Sequence, residues 1–166
     1  MPEFKKNEYI ALFKQMYLPI KNFVYYKTGD ISLAEDIAQD TFVKVWEKKK
    51  DIRQETVKAL LYKIAGNLCS NVFDHQQVVF EFANKFQAQE SSVSPEFELE
   101  LKEFNSKLEK AIAALREKHR IVFLMNRIDG YTYVQIAERL NLSVKAVEKR
   151  MKLALQELKK TIDYKI

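Results

Sequence analysis

Apolar side chains recur along much of the chain at intervals of three or four residues, which is the spacing of one face of an α-helix. Pro19 lies inside the first of these patterns and is expected to kink or divide that helix, because proline has no backbone N–H to donate. Gly29 suits a left-handed cap at the end of it. In the N-terminal third we predict three helices: one that ends at Thr28, one from Ser32 to about Lys48, and one over 56–74.

The last third of the chain carries clear signals for the starts of helices. Thr132 and Gln135 have the spacing of a capping box, in which each side chain bonds to the other residue's backbone N–H. Ser32 and Glu35, in the N-terminal third, have the same spacing. With only 3 Gly and 3 Pro in 166 residues, the chain has too few turn residues for an all-β fold, so we predict an all-α protein. The helices predicted here are Phe104 to Leu115, Glu117 to Ile128, Tyr133 to Leu140 and Val144 to about Lys160.

Residues 133–152 have the pattern of a helix-turn-helix, in which two helices cross steeply through a short turn. Ala137 is a small residue at the point of closest packing, and Asn141 stands in the turn, where positive φ must be tolerated. Ser143 is the predicted N-cap of the second helix. An ordinary αα-hairpin is the alternative explanation. The apolar hub would consist of Ile136, Leu140, Leu142, Val147 and Met151.

Charged residues on the second helix of this unit favour DNA binding over a plain hairpin. A recognition helix places such positions in the major groove, where Lys149 and Lys152 can donate to guanine and Glu148 can accept from cytosine. Lys145 and Arg150 are better placed for phosphates. For any one of these residues, a solvated lysine-rich face is an equally good explanation.

Charge is distributed unevenly along the chain. The whole chain carries 28 Lys and Arg against 23 Asp and Glu, a net charge of +5. Residues 104–166 alone carry 14 against 7, a net charge of +7, and such asymmetry is typical of nucleic-acid binding. Residues 88–96 are polar and contain Pro95, so we predict a flexible linker over 88–103 between two small helical domains, at 1–87 and 104–166.

Several classes of protein are excluded by composition. Apolar runs reach only four or five residues, as at 121–125, which is too short to span a bilayer. The N-terminal residues lack the apolar stretch of a secretory signal, so we expect a cytoplasmic protein. A single cysteine, Cys69, excludes an internal disulfide and a multi-cysteine metal site. Because no nucleophile, acid–base pair or metal-ligand set converges, we predict no enzyme activity, cofactor, metal or small-molecule substrate.

A second landmark lies on the predicted helix that begins near Ser32. Asp36, Gln39, Asp40 and Val43 fall at i, i+3, i+4 and i+7 and therefore line one stripe. Two aspartates at this spacing can serve as metal or acid–base carboxylates, yet no His or further acid stands at helical-bundle ligand spacing. A protein-contact surface or a plain solvated face explains the stripe better.

The string that contains this stripe, Ala34-Glu-Asp-Ile-Ala-Gln-Asp-Thr-Phe-Val-Lys-Val-Trp46, resembles the signature of extracytoplasmic-function (ECF) RNA polymerase sigma factors. Three strings in the last third, at 113–124, 129–140 and 143–150, resemble the C-terminal domain of the same family. The resemblance covers about residues 8–160. The stretch at 147–151 looks closest to members common in Bacteroidota.

The resemblance implies a transcription-initiation subunit that binds core RNA polymerase and promoter DNA. The stripe of Asp36, Gln39, Asp40 and Val43 would face the polymerase clamp helices, and the helix-turn-helix would read the −35 element as duplex. At the −10 element a flipped base is captured. The residues implied there are Arg53, Gln54, Tyr62, Lys63, Asn67 and Asn71. Family members are often held inactive by an anti-sigma factor, commonly membrane-anchored, and we expect the free chain to be a monomer.

The alternative function is a stand-alone helix-turn-helix regulator that acts as a dimer on a palindromic site. It would leave the stripe around Asp36 and Asp40 unexplained, and no dimerisation seam stands out in the sequence. The chain also departs from the family at the −10 surface. Gly66, Asn71 and Asp74 stand where the family usually carries Arg, Asp and Arg, so this surface is less basic than the resemblance implies.

Overall fold

The structure, a computed structural model, describes residues 5–72, 79 and 94–162. Within those ranges the chain forms seven α-helices and no strands, which confirms the predicted all-α fold. Two predicted features, the end of the third helix at 73–74 and the start of the linker at 88–93, lie outside the described residues. The helices are α1 (Lys6–Thr28), α2 (Ile31–Glu47), α3 (Val57–Val72), α4 (Pro95–Ala114), α5 (Glu117–Arg127), α6 (Tyr133–Leu140) and α7 (Val144–Thr161).

Of the two outcomes expected of Pro19, a kink or a division of the helix, the division is wrong, because α1 runs through the proline from Lys6 to Thr28. Met16 and Ile20 on either side of the proline are 1% and 0% exposed. Burial of this apolar face therefore outweighs the hydrogen bond that proline cannot make. Gly29 ends the helix in the predicted left-handed conformation, with φ 72°, and its N–H donates to the carbonyl of Tyr25.

The predicted start of α2 at Ser32 is also wrong. Asp30 is the N-cap, and its carboxylate accepts a hydrogen bond of 3.0 Å from the backbone N–H of Leu33. Asp and Ser are about equally good N-caps, so the pattern of residue types does not decide between two candidates that lie two positions apart.

Helix α4 begins at Pro95, as expected of a proline that stands at the first helical position. Residues 95–103, which the sequence analysis assigned to a flexible linker, are therefore helical. The capping box of Thr132 and Gln135 is present with both hydrogen bonds. Asn141 has φ 54°, as the helix-turn-helix pattern predicts.

The buried apolar side chains of all seven helices form one continuous cluster. Helices α1, α2 and α3 pack together, and α5, α6 and α7 do the same. The two groups also touch, since α1 packs on α5 and α3 packs on α6. Among the described residues, no helix is long and apolar enough to cross a membrane.

Candidate nucleic-acid and protein interfaces

The exposed face of α7 carries four of the five predicted recognition residues. Ser143 caps this helix by accepting a hydrogen bond of 3.1 Å from the N–H of Ala146. The buried side of the helix, which includes Val147 and Met151 at 0% and 1% exposure, fixes which side chains point outward. Arg150 is half-buried and lies beside the buried face. Exposed at i, i+3, i+4 and i+7 are Lys145, Glu148, Lys149 and Lys152.

On α2 the structure exposes the whole predicted stripe. Its members are Asp36, Gln39, Asp40 and Val43, and Val43 is 53% exposed. Within the part of the chain that the structure describes, no group of three or more metal-binding side chains includes either aspartate. The stripe therefore combines two carboxylates with an amide and an exposed apolar side chain, a composition that suits contact with another protein.

An aromatic cluster supports the stripe from behind and flanks it. Phe42 is buried, and Trp46 lies 4.9 Å from the ring of Tyr9. The hydroxyl of Tyr9 donates to the carbonyl of Phe42 at 2.9 Å, and the ring of Phe13 lies 5.0 Å from that of Phe42. Phe13 is 38% exposed, and the sequence analysis did not single it out. These contacts hold α2 firmly against α1.

Helix α3 presents three of the residues implied at the −10 element. Lys63, Asn67 and Asn71 are exposed at i, i+4 and i+8, so they line one stripe. Arg53 and Gln54 are exposed in the loop that precedes the helix. The structure thus brings five of the six implied residues to the surface.

Tyr62 does not share that surface. It is 3% exposed, and its ring packs edge-on against Phe23 with centroids 5.1 Å apart. Burial, and next to it the neighbouring Tyr131, raise the pKa of Tyr62. Tyr131 belongs to the segment between α5 and α6, and α3 packs on α6, so part of the C-terminal half lies near this tyrosine. A DNA contact by Tyr62 would require the packing around α3 to change.

Polar contacts between the two halves are the feature that the sequence analysis missed. Asp129 accepts hydrogen bonds from Asn22 and Tyr26, and Lys27 pairs with Glu117 at 2.6 Å. The partners are separated by 90 or more positions, so no local pattern could have shown them.

Cys69 is fully buried on α3. Burial raises the pKa of its thiol, with a smaller opposing effect from Lys27. The thiolate, which is the reactive form, is therefore disfavoured in the folded chain.

Comparison with known proteins places both candidate regions in one family. Residues 12–90 match the family described as Sigma-70 region 2, and residues 106–158 match Sigma-70, region 4. RNA polymerase sigma factor YlaC of Bacillus subtilis (strain 168) is 28% identical over 156 residues, which span 91% of this chain and 90% of that protein. ECF RNA polymerase sigma factor SigL of Mycobacterium tuberculosis is 28% identical over 142 residues, or 81% of this chain and 77% of that protein.

Solved structures show the same fold. CnrH in complex with the cytosolic domain of CnrY has a TM-score of 0.64 at 22% identity, covering 96% of this chain and 90% of that one. RpoE from Bartonella quintana, in complex with the anti-sigma factor NepR, has a TM-score of 0.63 at 17% identity, covering 96% and 99%.

Proposed function

Since the chain belongs to the sigma-70 family, among the ECF RNA polymerase sigma factors, we propose that it binds core RNA polymerase through the α2 stripe and reads promoter DNA through α3 and α7. One observation carries the proposal. The stripe of two aspartates, an amide and a valine on α2 and the lysine-bearing face of α7 are both exposed, inside the segments matched as regions 2 and 4. Sigma factors are initiation factors rather than enzymes, so nucleotidyl transfer belongs to the polymerase.

The α7 face suits duplex DNA at the −35 element. Lys149 and Lys152 are long donors on a helix that fits the major groove, and Lys145 at its N-terminal end can reach a phosphate. Each phosphate contact releases counterions, so binding through this face will weaken as salt rises.

The α3 stripe suits a single-stranded −10 element. The amide of Asn67 both donates and accepts, so it can pair with the edge of a flipped base. Lys63 and Arg53 add positive charge near the strand. Unstacking a base costs a few kcal/mol, which such contacts must offset.

An anti-sigma factor is the further partner in this proposal. RpoE of Bartonella quintana, which shares the fold, was solved with the anti-sigma factor NepR. We extend this to a membrane-anchored anti-sigma factor and to action in the cytoplasm as a monomer, on the sequence resemblance alone. The proposed likeness to family members from Bacteroidota also rests on the sequence resemblance alone. The division into domains at 1–87 and 104–166 is consistent with the two matched segments.

The test is transcription in vitro from a library of genomic fragments with purified core RNA polymerase. With the chain added, we expect transcripts whose start sites share a common pair of upstream elements, and none without it. A dimeric regulator predicts the opposite: no such transcripts, and a shift of palindromic duplex DNA by the chain alone. An Asn67→Ala variant should bind polymerase normally yet melt the −10 element poorly, whereas Lys58→Ala, on the opposite side of α3, should melt it normally.

A further inference from the structure

The connector between α2 and α3, residues 48–56, reverses the charge of the helix that leads into it. Residues 31–43 of α2 carry three carboxylates and no Lys or Arg. Residues 44–58 carry six Lys and Arg against three Asp and Glu, a net charge of +3. A partner surface that complements the acidic stripe is itself basic and repels the connector, so the connector suits a different, anionic partner.

Short-range contacts hold the connector in one shape. The backbone N–H of Lys49 donates to the carbonyl of Trp46 at 3.2 Å, and that of Asp51 donates to the carbonyl of Lys48 at 2.9 Å. Ile52 is 8% exposed and packs in the core cluster. The connector is therefore an ordered turn, and a ligand that binds to it does not have to supply the free energy of ordering the backbone.

Three consecutive lysines of this turn have different surroundings. The ammonium of Lys49 lies 4.0 Å from the centroid of the Trp46 ring, and its side chain is half-buried. The Trp46 ring lies in turn 4.9 Å from that of Tyr9, so Lys49 is directed toward the body of the protein. Lys48 and Lys50 are exposed, and within the described ranges neither forms an ion pair with a carboxylate. These two ammonium groups are available to an anion in solution.

The α3 stripe, which the proposed function assigns to the −10 element, carries little charge of its own. Of its three exposed side chains only Lys63 is a cation, and Asn67 and Asn71 are neutral amides. Proteins that hold single-stranded DNA combine contacts to the bases with a positively charged surface that follows the phosphates. The connector runs directly into the first turn of α3, so its lysines stand at the end of the stripe where such a surface is needed.

We propose that Lys48 and Lys50 form a phosphate-binding site for the single DNA strand whose bases α3 reads. The inference rests on the proposed function of α3. The two ammonium groups bind phosphates and not bases, so they contribute affinity and fix the position of the strand but add no sequence preference. In this arrangement the acidic stripe of α2 contacts polymerase, and the basic connector that follows it holds the DNA strand.

The salt dependence of strand binding tests this proposal. Holoenzyme is assembled from the full chain and core RNA polymerase, and the probe is a fluorescent single-stranded oligonucleotide that carries a −10 element found by transcription in vitro. Its binding is measured by anisotropy over a range of KCl concentrations. The variant is Lys48→Gln/Lys50→Gln, which removes both charges. The matched control is Lys107→Gln/Lys110→Gln, which removes two charges from exposed positions of α4.

Each phosphate contact to a single strand contributes about 0.7 to the slope of log affinity against log salt concentration. We expect Lys48→Gln/Lys50→Gln to lower this slope by about 1.4, so that from about 50 to about 200 mM KCl wild type loses about sevenfold more affinity than the variant. The control should keep the wild-type slope. An oligonucleotide with neutral methylphosphonate linkages should bind wild type and variant equally.

Three results would overturn the proposal. The first is an unchanged slope in a variant that is folded by circular dichroism. The second is a difference that persists with the neutral oligonucleotide, because it would not come from phosphates. The third is loss of the variant from the polymerase fraction, which would assign the lysines to the polymerase interface. Failure of the proposed function would instead appear as wild-type holoenzyme that binds the oligonucleotide no better than core RNA polymerase does.

Discussion

The carboxylate of Asp129 accepts a hydrogen bond of 2.8 Å from the hydroxyl of Tyr26, across 103 positions of sequence. Tyr26 is 2% exposed and lies in the last turn of α1, whereas Asp129 follows α5. The contact therefore ties a region 2 helix to a region 4 turn. It joins the two matched segments, which in the proposed function read separate parts of a promoter.

This pair should show a measurable coupling energy. Tyr26→Phe and Asp129→Ala each remove the bond, so a double-mutant cycle on the free energy of unfolding should give about 1.5–3 kcal/mol, as for hydrogen bonds to charged groups. Tyr9→Phe removes a bond within the N-terminal half, and its coupling to Asp129→Ala should be near zero. Equal couplings for the two tyrosines would show that the cycle reports something other than the interdomain contact.

Arg120 should be among the most costly charged residues to replace. Arg120→Met leaves four backbone carbonyls without their donor, and we expect the free energy of unfolding to fall by about 3 kcal/mol, measured by urea denaturation. Arg116→Met, at an exposed position just before α5, should change it by less than about 0.5 kcal/mol. A loss of that small size for Arg120→Met would mean that water replaces the guanidinium without penalty.

Alkaline pH should weaken the fold through two buried tyrosines. Burial, and then the Asp129 carboxylate, raise the pKa of Tyr26, and burial first of all raises that of Tyr62. Unfolded tyrosines release protons near pH 10 that these groups keep in the folded chain. Their contribution is therefore complete below about pH 10, and the free energy of unfolding falls above it by about 1.4 kcal/mol per pH unit for each.

Urea denaturation at intervals from about pH 9 to about pH 11.5 measures this decline. Tyr26→Phe and Tyr62→Phe should each flatten it, since phenylalanine has no proton to lose. A slope that neither substitution changes would assign the alkaline loss to other groups.

Lys149 should contribute to promoter affinity without contributing to stability. Lys149→Ala in the holoenzyme should weaken promoter binding by about 1–3 kcal/mol if it contacts a base. If Lys149 contacts a phosphate instead, the substitution should lower the slope of log affinity against log salt concentration by about one. Lys118→Ala, an exposed lysine of α5, is the matched control. Fluorescence anisotropy over a range of KCl concentrations distinguishes a base contact from a phosphate contact. Identical binding curves for the Lys149→Ala and Lys118→Ala variants would show that Lys149 does not contact the DNA.

Local signals predicted most of the helices and the exposure of most candidate side chains on α2 and α7. The helix-turn-helix followed from residues whose requirements are local: a capping box at Thr132, a left-handed Asn141 and a cap at Ser143. The α2 stripe followed from helical periodicity, and the structure exposes all of it. Where a helix end depends on short-range geometry, residue type was enough to predict it. The start of α2 is the exception, because Asp30 and Ser32 are about equally good N-cap residues.

Long-range contacts explain the rest. Pro19 stays within α1 because tertiary burial stabilises both sides of it, which no local rule shows. The family resemblance implies Tyr62 at the −10 surface, but the side chain is 3% exposed and packs against Phe23 of α1, a contact 39 positions away that no local pattern shows. The polar contacts of Asp129 with Tyr26 and of Lys27 with Glu117 join residues about a hundred positions apart, and a single sequence carries no signal for such pairs.

Co-purification with core RNA polymerase tests the central claim most directly. Wild type is compared with Asp36→Arg/Asp40→Arg, and the matched control is Glu96→Arg/Glu100→Arg. The control makes the same change of charge at the same i, i+4 spacing on exposed positions of α4. We predict that wild type and control are retained by polymerase and that the α2 variant is lost. Retention of the α2 variant at the wild-type level would contradict the placement of the interface, and absence of wild type from the polymerase fraction, with any anti-sigma factor removed, would contradict the proposed function itself.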